Sequence, residues 1–513
     1  MSVQVSAKHK VFAVPFDPAL YNVIPGCKIL GDKVVVPHTI ETTRLGRNLG
    51  FSIPSPIRTR YDWCGDTPFE AQEVTAALMV QNPRAFILSE IGTGKTRAAL
   101  YALDFLLQEG VIKHALVTAP LSTLSQVWDK EIFKYFPHLK TEILHGSRKQ
   151  RREALARDAD IYIINHDGIE TIQAELCSKS FGAIVIDELS YFRNGTTDRW
   201  KSANRIVMGI PYVWGLTGSP TPNEPCDAYS QIKLLRPEAV PKYFKHFKEL
   251  TMTQYSQFRW VARPTALDTV YAAMQPGVRY LRKEIAELPE TCYKTVDCPL
   301  TPEQARVYKQ LYDKSFHAFQ QGQVTAANAG VLMSKLLQVS AGWCYTNTRG
   351  VVAIDNSIRT QALLDLLEEA GGQRVIVFIE FISAVSELYK FLIGRGISCE
   401  TVTGETPLAE RNRIFTGFQS GSGARVLVAH PKCMSHGLSL VAASIIIWFG
   451  PTTSLETFEQ ANGRITRPGQ KNKTLIVSLC GSAVERKLYQ GLLSKAKVQN
   501  TLLEMFASGN EIL

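Results

Sequence analysis

The most informative pattern in this sequence is an alternation between short, wholly apolar runs and longer stretches with apolar residues at helical spacing. Runs that are apolar throughout are typical of strands buried on both faces, as in parallel sheets covered by helices. The alternation occurs in two successive series, so the pattern predicts two α/β lobes in tandem. The predicted strands are Ala85–Ser89, Ala115–Ala119, Ile161–Asn165, Ala183–Asp187 and Val213–Thr217, then Val375–Ile379, Thr401–Thr403, Val426–Ala429, Ile445–Phe449 and Leu475–Leu479.

Helical periodicity fills the gaps between these runs, for example from Leu124 to Phe136, and it also predicts helices over about residues 301–340. Residues 1–60 differ, because short apolar stretches there alternate with Gly and Pro, which is typical of a small β-rich unit. A Pro-rich segment at residues 52–57 follows this unit. We therefore expect four parts, namely a basic β-rich accessory domain (1–60), a first lobe (61–290), a second lobe (291–482) and a helical tail (483–513).

Composition narrows the class of protein. The chain has 513 residues, 45% of them hydrophobic, which suffices for large buried cores. Its net charge is +10, and residues 1–60 alone hold eight Lys/Arg against three acids, which suits a polyanionic partner such as nucleic acid. No apolar signal-peptide core or membrane-length apolar stretch is present, and the ten cysteines form no C-x-x-C pair. These features predict a cytoplasmic protein with reduced thiols and no membrane segment.

A phosphate-binding loop is predicted directly after the first strand. Residues 86–96 read F-I-L-S-E-I-G-T-G-K-T, and a helix is predicted from Thr96 to Gln108. Gly92, Thr93 and Gly94 would wrap their backbone around phosphate oxygens at the start of this helix, where the amides favour anions. Lys95 would contact the β and γ phosphates of ATP, and Thr96 would bind Mg²⁺. Ser89 stands where the full G-x-x-x-x-G-K-T pattern has its first glycine.

A pair of carboxylates, Asp187 and Glu188, ends another buried strand. In a parallel sheet this position lies at the edge that carries the phosphate loop, so Asp187 would hold Mg²⁺ and Glu188 would activate the attacking water. Taken alone, an Asp-Glu pair after a strand can also merely cap the next helix. The phosphate loop upstream favours the catalytic interpretation.

Two further segments carry candidate functional residues. Thr217, Gly218 and Ser219 follow a buried strand and could link the ATP site to a nucleic-acid groove, although a Gly/Pro turn alone looks the same. Arg464 and Arg467 are spaced by three residues, one helical turn apart, and could reach a γ-phosphate. Such arginine fingers can accelerate hydrolysis by about 10³–10⁵-fold. In isolation the two arginines could equally be an ordinary basic surface.

The order and spacing of these motifs resemble superfamily 2 helicases, specifically the Swi/Snf-type ATPases, over about residues 60–490. The matching segments are P-F-E-A-Q ending at Gln72, E-I-G-T-G-K-T at 90–96, Ala119-Pro120 with Trp128 and Glu131, L-T-G-S-P-T-P-N at 216–223, L-R-K at 281–283, G-L-S-L at 437–440, and Gln460 with Arg464 and Arg467. The resemblance implies two RecA-like lobes that bind ATP and Mg²⁺ between them. It also implies that Gln72 contacts the adenine and that Gly437 and Gln460 belong to the nucleotide site.

The sequence departs from this family at several points. Ser190 replaces the usual His of the D-E-x-H motif, and Ser439 replaces the usual Asn after Gly437. The long helical insertions of chromatin remodellers are short or missing, so the chain resembles compact phage or bacterial members. The N-terminal block, with V-I-P-G at 23–26, resembles the accessory domain of annealing-helicase-type enzymes.

The resemblance implies a DNA-dependent ATPase or helicase that moves along or remodels duplex, forked or branched DNA. Its contacts would be mostly to the phosphate backbone, so binding would be salt-sensitive and tolerant of sequence. Strand separation, translocation and annealing remain open, as does any protein partner. The alternatives are a weakly active or inactive ATPase that acts as a DNA-binding scaffold, an RNA helicase, although D-E-A-D and S-A-T are missing, and a nuclease.

Overall fold

The computed structural model describes residues 3–24, 26–222, 224–256, 259–285, 289–320, 326–345, 351–434, 439–467 and 469–493. These residues form two compact units, the first of which ends at Ile285.

The N-terminal block of the first unit is a small antiparallel sheet. Along β2 and β4 every second residue is buried, because one face of the sheet packs inward and the other meets solvent. Phe12, Val14, Val34 and Val36 form its core. The strand order is β1-β2-β4-β3. The elements are β1 (Gln4–Ser6), β2 (Val11–Pro15), α1 (Pro18–Val23), β3 (Lys28–Leu30), β4 (Lys33–Pro37) and α2 (Ile40–Asn48).

The rest of the first unit is an α/β lobe on a seven-stranded parallel sheet with order β13-β5-β10-β9-β6-β8-β7. The elements are α3 (Pro56–Arg60), α4 (Glu70–Gln81), β5 (Arg84–Ile87), α5 (Lys95–Gln108), β6 (Ala115–Ala119), α6 (Lys130–Tyr135), β7 (Thr141–Leu144), α7 (Arg148–Ala156), β8 (Ile161–Asn165), α8 (Gly168–Thr171), α9 (Gln173–Ser178), β9 (Ala183–Ile186), α10 (Asp198–Val207), β10 (Tyr212–Leu216), α11 (Ala228–Leu235), α12 (Phe244–Thr251), β11 (Met252–Ser256), β12 (Arg259–Ala262), α13 (Ala266–Ala273), β13 (Gly277–Val278) and α14 (Arg282–Ile285).

The sheet of this lobe is buried on both faces. Alternate residues of its strands point to opposite sides, so Phe86 and Ile184 join one hydrophobic cluster while Ile87 and Val185 join another. Two separate cores, one under each layer of helices, explain why the central strands are apolar at every position.

The second unit repeats this architecture with a six-stranded parallel sheet of order β14-β21-β20-β17-β19-β18. Two hydrophobic clusters again cover the two faces of the sheet. The elements are β14 (Thr291–Asp297), α15 (Pro302–Gln320), α16 (Ala326–Ala341), β15 (Trp343–Tyr345), β16 (Val351–Ala353), α17 (Ser357–Glu369), β17 (Arg374–Phe378), α18 (Ile382–Gly394), β18 (Cys399–Val402), α19 (Leu408–Ser420), β19 (Val426–Ala429), β20 (Ala443–Trp448), α20 (Leu455–Asn462) and β21 (Thr474–Cys480).

The two parallel sheets and the β-rich N-terminal block confirm the predicted fold class, and each predicted strand coincides with an observed one to within two residues. Strands β7, β13 and β14 were missed because they are short or lack a continuous apolar run. Residues 483–493 are helical, while the remainder of the expected tail, 494–513, lies outside the described residues. The proposed four-part domain division stays a prediction. Among the described residues, no helix has the length and apolar character that a membrane crossing requires.

One helix prediction was wrong in its detail. The stretch from Leu124 to Phe136 is a π-helix over Leu124–Asp129 followed by the short α6, and not one regular α-helix. The wider π turn shifts the later side chains around the axis, so Phe133 is 82% exposed although its spacing suggested burial.

A hydrogen-bonded carboxylate joins the start of the first lobe to α5. Asp104 is fully buried, and its oxygens accept hydrogen bonds from the Tyr61 hydroxyl (2.5 Å), Gln108 Nε2 (2.9 Å) and His138 Nε2 (2.8 Å). Cys64 lies beside them, so the group has the composition of a metal site. The three donors already satisfy this carboxylate, which accounts for its burial without an ion.

A buried ion pair holds the helical residues 483–493 against α17. The Arg359 guanidinium donates to Glu485 Oε1 at 2.8 Å and to Oε2 at 2.7 Å, and both side chains are at most 2% exposed.

We expect Glu485→Ala to destabilise the second unit by about 3–5 kcal/mol, because it leaves a buried guanidinium unpaired. Chemical denaturation of the full chain measures the loss. Glu410→Ala, which breaks the exposed pair with Arg413 (2.7 Å), is the matched control and should leave the midpoint unchanged. Equal midpoints for both variants would contradict the prediction.

Candidate nucleotide-binding site

The predicted phosphate loop connects β5 to α5. Gly92 and Gly94 have φ values of +87° and +80°, in the left-handed region that favours glycine. Gly94 is the N-cap of α5, which begins one residue earlier than predicted, at Lys95. The backbone N–H groups of the first helical turn have no carbonyl partners within the helix, so the loop ends at a site suited to anions.

The Lys95 side chain folds back over this loop. Its ammonium group donates to the carbonyl oxygens of Ser89 (2.7 Å) and Glu90 (3.0 Å). Thr96 occupies the second position of α5. The loop, the helix N-terminus and the ammonium group together form a positively polarised site that fits the phosphates of a nucleotide.

Gln72 contacts the loop from α4. Its side chain is 4% exposed, and its Nε2 donates to the Gly94 carbonyl at 3.3 Å. Its Oε1 accepts from the Phe69 backbone N–H at 2.9 Å, which fixes the amide orientation. The structure thus brings Gln72 beside the phosphate loop, although the two segments are separated in the sequence.

A support for the loop that the sequence did not reveal comes from residues 279–282. The Glu90 side chain accepts from the Arg282 backbone N–H at 2.9 Å and lies 3.6 Å from the buried Arg279 guanidinium. The Tyr280 backbone N–H donates to Ser89 Oγ at 3.0 Å. The L-R-K motif at 281–283 marked this segment in the sequence as similar to the family. Its spacing, however, did not indicate that the segment contacts the phosphate loop.

Asp187 and Glu188 directly follow β9, in the centre of the sheet. Asp187 Oδ2 accepts from the Trp128 indole N–H at 2.9 Å, and Oδ1 accepts from the Glu188 backbone N–H at 3.1 Å. Burial raises the pKa of the Asp187 carboxyl, while the Trp128 hydrogen bond and the positive charge of Lys95 oppose that rise. The phosphate loop follows β5 and Asp187 follows β9 in the same parallel sheet, so Lys95 and Asp187 lie at the same edge of that sheet.

Glu188 has an unusual backbone. Its φ of +50° lies in the left-handed region, which costs a non-glycine residue about 1–3 kcal/mol. Ser190, at the position of the family's histidine, is 1% exposed. Strain of this kind concentrates at functional sites, which supports a role for the turn after β9 beyond helix capping.

The Thr217–Ser219 segment packs beside the phosphate loop. Thr217 is buried, and its hydroxyl oxygen accepts from the Ser219 backbone N–H at 3.2 Å. At Gly218 an added Cβ would lie 3.7 Å from both Ile91 Cγ1 and the Ser89 carbonyl oxygen. The segment therefore contacts the loop that contains Lys95, while Asn223 lies outside the described residues.

In the second unit, the two arginines do not share a helix face, which corrects the spacing argument. Helix α20 ends at Asn462 with Gly463 as its C-cap, so Arg464 and Arg467 lie in the turns that follow. The Arg464 side chain is 1% exposed, and Arg467 Nε donates to the Gly463 carbonyl at 2.8 Å. Gln460, within α20, donates to Glu456 Oε1 at 3.2 Å, and Gly437 lies outside the described residues.

The donor atoms of the first unit fit a magnesium ion. Mg²⁺ prefers oxygen ligands and is usually bound through one or two carboxylates. The Asp187 carboxylate, close to Lys95, and the Thr96 hydroxyl at the start of α5 are such donors. The phosphate loop and the paired carboxylates at one edge of a parallel sheet, followed by a second parallel sheet in the other unit, define a P-loop fold with two RecA-like lobes.

The chain belongs to the family of proteins with an SNF2-related domain, which matches residues 71–345. The helicase conserved C-terminal domain matches residues 359–469. An uncharacterized ATP-dependent helicase of Mycoplasma pneumoniae is 24% identical over 427 residues, covering 82% of this chain and 40% of the relative. The putative protein p41 of Acyrthosiphon pisum secondary endosymbiont phage 1 is 25% identical, covering 85% of this chain and 98% of that protein.

The chain thus spans about two fifths of the length of the Mycoplasma relative but nearly all of the phage relative. Among solved structures, the Sulfolobus solfataricus SWI2/SNF2 ATPase core in complex with dsDNA is 22% identical, with a TM-score of 0.43 over 88% of this chain and 96% of that one.

The contact between Gly94 and Gln72 yields a test of the loop. In Gly94→Ala the new Cβ would enter a left-handed backbone position and overlap Gln72 Nε2, so the loop or the buried Gln72 side chain must shift. Strain of about 1–3 kcal/mol corresponds to a loss of ATP affinity of about 5- to 150-fold. Titration with a fluorescent ATP analogue measures this loss. Gly209→Ala is the control, because its Cβ would meet open space. Unchanged affinity in Gly94→Ala would contradict this account of the loop.

Proposed function

We propose that this protein is a DNA-dependent ATPase that uses ATP hydrolysis to move along or remodel duplex, forked or branched DNA. The observation that carries the proposal is that the phosphate loop with Lys95 and the carboxylate of Asp187 follow parallel strands of one sheet and so lie at its same edge, in a chain of the SNF2-related family. A phosphate-binding lysine beside a metal-binding carboxylate is the arrangement that ATP hydrolysis requires.

The proposed roles follow from the contacts of each residue. Gly92, Thr93, Gly94 and Lys95 bind the phosphates, and Gln72 binds the adenine. Thr96 and Asp187 hold Mg²⁺, which neutralises phosphate charge when bound. Glu188 accepts a proton from the attacking water, whose oxygen forms the new bond to the γ-phosphorus while the bond to the ADP oxygen breaks.

The second unit would contribute positive charge to the same reaction. We propose that Arg464 and Arg467 neutralise the charge that develops on the transferred phosphoryl group, and that Gly437 and Gln460 complete the nucleotide site. Thr217, Gly218 and Ser219 would transmit the state of the phosphate loop to bound DNA, since they pack against that loop.

The charge distribution supports a polyanionic partner, but not every basic residue of the N-terminal block is available for it. Arg44 donates to the carbonyl oxygens of Gln81 (2.5 Å) and Val80 (3.2 Å), and Arg47 donates to that of Ile53 (2.7 Å). Arg60 pairs with Glu109 at 2.5 Å. Arg44 and Arg60 fasten the block to the lobe, whereas Arg47 makes its bond within the block. The exposed Lys8 and Lys28 are left as the better candidates for phosphate-backbone contacts.

Hydrolysis measured with different nucleic acids tests the proposal. We expect duplex or forked DNA to stimulate ATP hydrolysis, and Glu188→Gln to lower it by about 10²–10⁴-fold, because the general base is lost. Lys95→Ala should also abolish hydrolysis. Lys201→Ala is the matched control, since Lys201 is exposed and pairs with the nearby Asp198 (2.9 Å).

Other results would redirect the assignment. Tight DNA binding without hydrolysis on any substrate would favour a DNA-binding scaffold, and stimulation by RNA alone would favour an RNA helicase. If hydrolysis survived both active-site substitutions, the residues assigned here would be wrong.

The contribution of the second unit has its own test. Arg467→Ala should lower kcat by about 10³-fold or more while leaving ATP affinity nearly unchanged, because an arginine finger acts mainly on the transition state. Steady-state kinetics with saturating DNA and an equilibrium ATP titration separate the two effects. Arg413 is an exposed arginine of the same unit, so Arg413→Ala should behave as wild type. A loss confined to ATP affinity would assign Arg467 to binding instead.

A further inference from the structure

A tryptophan outside the recognised phosphate and carboxylate motifs contacts the metal-binding carboxylate. Trp128 lies near the end of the π-helix Leu124–Asp129 and has no exposed surface. Its indole N–H donates to Asp187 Oδ2 at 2.9 Å across 59 residues of sequence. Packing of the ring would not by itself require this hydrogen bond, since a phenylalanine could fill apolar space.

The hydrogen bond restricts how the Asp187 carboxylate can turn. One oxygen is held by Trp128 from the π-helix, and the other is held by the backbone N–H of Glu188. Two donors from different elements define the plane of the carboxylate, while each oxygen keeps a lone pair for a cation. Hydrogen bonds of this kind orient metal-binding carboxylates, and their loss typically costs about 10–100-fold in metal affinity.

The helix that follows Trp128 is joined to α5. On α6, Glu131 pairs with Arg97 at 3.2 Å, and Arg97 also stacks on the Tyr135 ring at 3.6 Å from its centroid. Arg97 lies on α5, two residues after Lys95. The segment Leu124–Tyr135 therefore touches both the carboxylate that ends β9 and the helix that starts at the phosphate loop.

We propose that Trp128 is a positioning residue that orients Asp187 for Mg²⁺, and that the segment Leu124–Tyr135 keeps this carboxylate in register with the phosphate loop. The inference rests on the proposed ATPase function and adds to it a residue with a defined role. Loss of this role would lower metal affinity and leave nucleotide affinity intact, because the Trp128 indole N–H bonds the metal-binding carboxylate.

The test compares two buried tryptophans of the same unit. Trp128→Phe removes the indole N–H that bonds Asp187, and Trp214→Phe removes one that bonds the Asn82 carbonyl at 3.0 Å. Binding of a fluorescent ATP analogue is followed by anisotropy during a Mg²⁺ titration and, separately, in EDTA. For Trp128→Phe we expect the half-saturating Mg²⁺ concentration to rise about tenfold, with binding in EDTA unchanged. Trp214→Phe should match wild type in both conditions.

A merely structural role for Trp128 predicts a different result, in which binding falls equally with and without Mg²⁺, and that outcome would overturn the proposal. Identical Mg²⁺ titrations for both variants would overturn it as well. High Mg²⁺ should restore hydrolysis in Trp128→Phe if the defect is metal affinity.

A second variant covers the case in which Trp128→Phe does not fold. Replacement of Trp128 by 3-benzothienylalanine keeps the ring shape and exchanges the N–H for sulfur, so the same tenfold shift is expected. A wild-type protein whose nucleotide binding does not respond to Mg²⁺ would instead refute the proposed ATPase function. Failure of the inference alone would leave the wild-type response intact.

Discussion

The parallel alignment of β5, β6, β9 and β10 is the constraint on which the candidate site depends. Because these strands run in the same direction, the segments that follow them emerge at one edge of the sheet. The phosphate loop after β5, the carboxylates after β9 and the Thr217–Ser219 turn after β10 meet there although they are far apart in sequence. The two buried faces of the sheet supply the rigidity that holds them in place.

At that edge of the sheet, burial and nearby charged or polar groups act on the pKa of Asp187 in opposite directions. Burial raises the pKa of the Asp187 carboxyl, which would favour its neutral form, yet a metal-binding role requires the ionised form. The Trp128 indole N–H and the Lys95 ammonium group counter this effect. They oppose the rise without cancelling it, since the pKa of Asp187 remains raised, and a cation bound there would favour the ionised form further.

Basic residues serve two different purposes in this chain. Arg44, Arg47 and Arg60 raise the charge of the N-terminal block but use their guanidinium groups on carbonyl and carboxylate oxygens of the first unit. The Arg359 guanidinium likewise forms a buried ion pair with Glu485. Net charge therefore overstates the positive surface that DNA could contact, and the exposed lysines matter more than the total suggests.

The sequence by itself determined the elements whose signals are local. Strands such as β6 and β8 were predicted to the residue because burial on both faces requires continuous apolar runs, and Gly92 to Thr96 were recognisable because a phosphate loop needs those residues in that order. Only the tertiary structure decided which distant groups meet, including Trp128 with Asp187, Glu90 with Arg279, and Arg44 with the end of α4. It also decided that Arg464 and Arg467 follow a helix end instead of sharing a face. Local patterns constrain backbone conformation, whereas such pairings depend on how helices pack onto the sheet, which no short window of sequence contains.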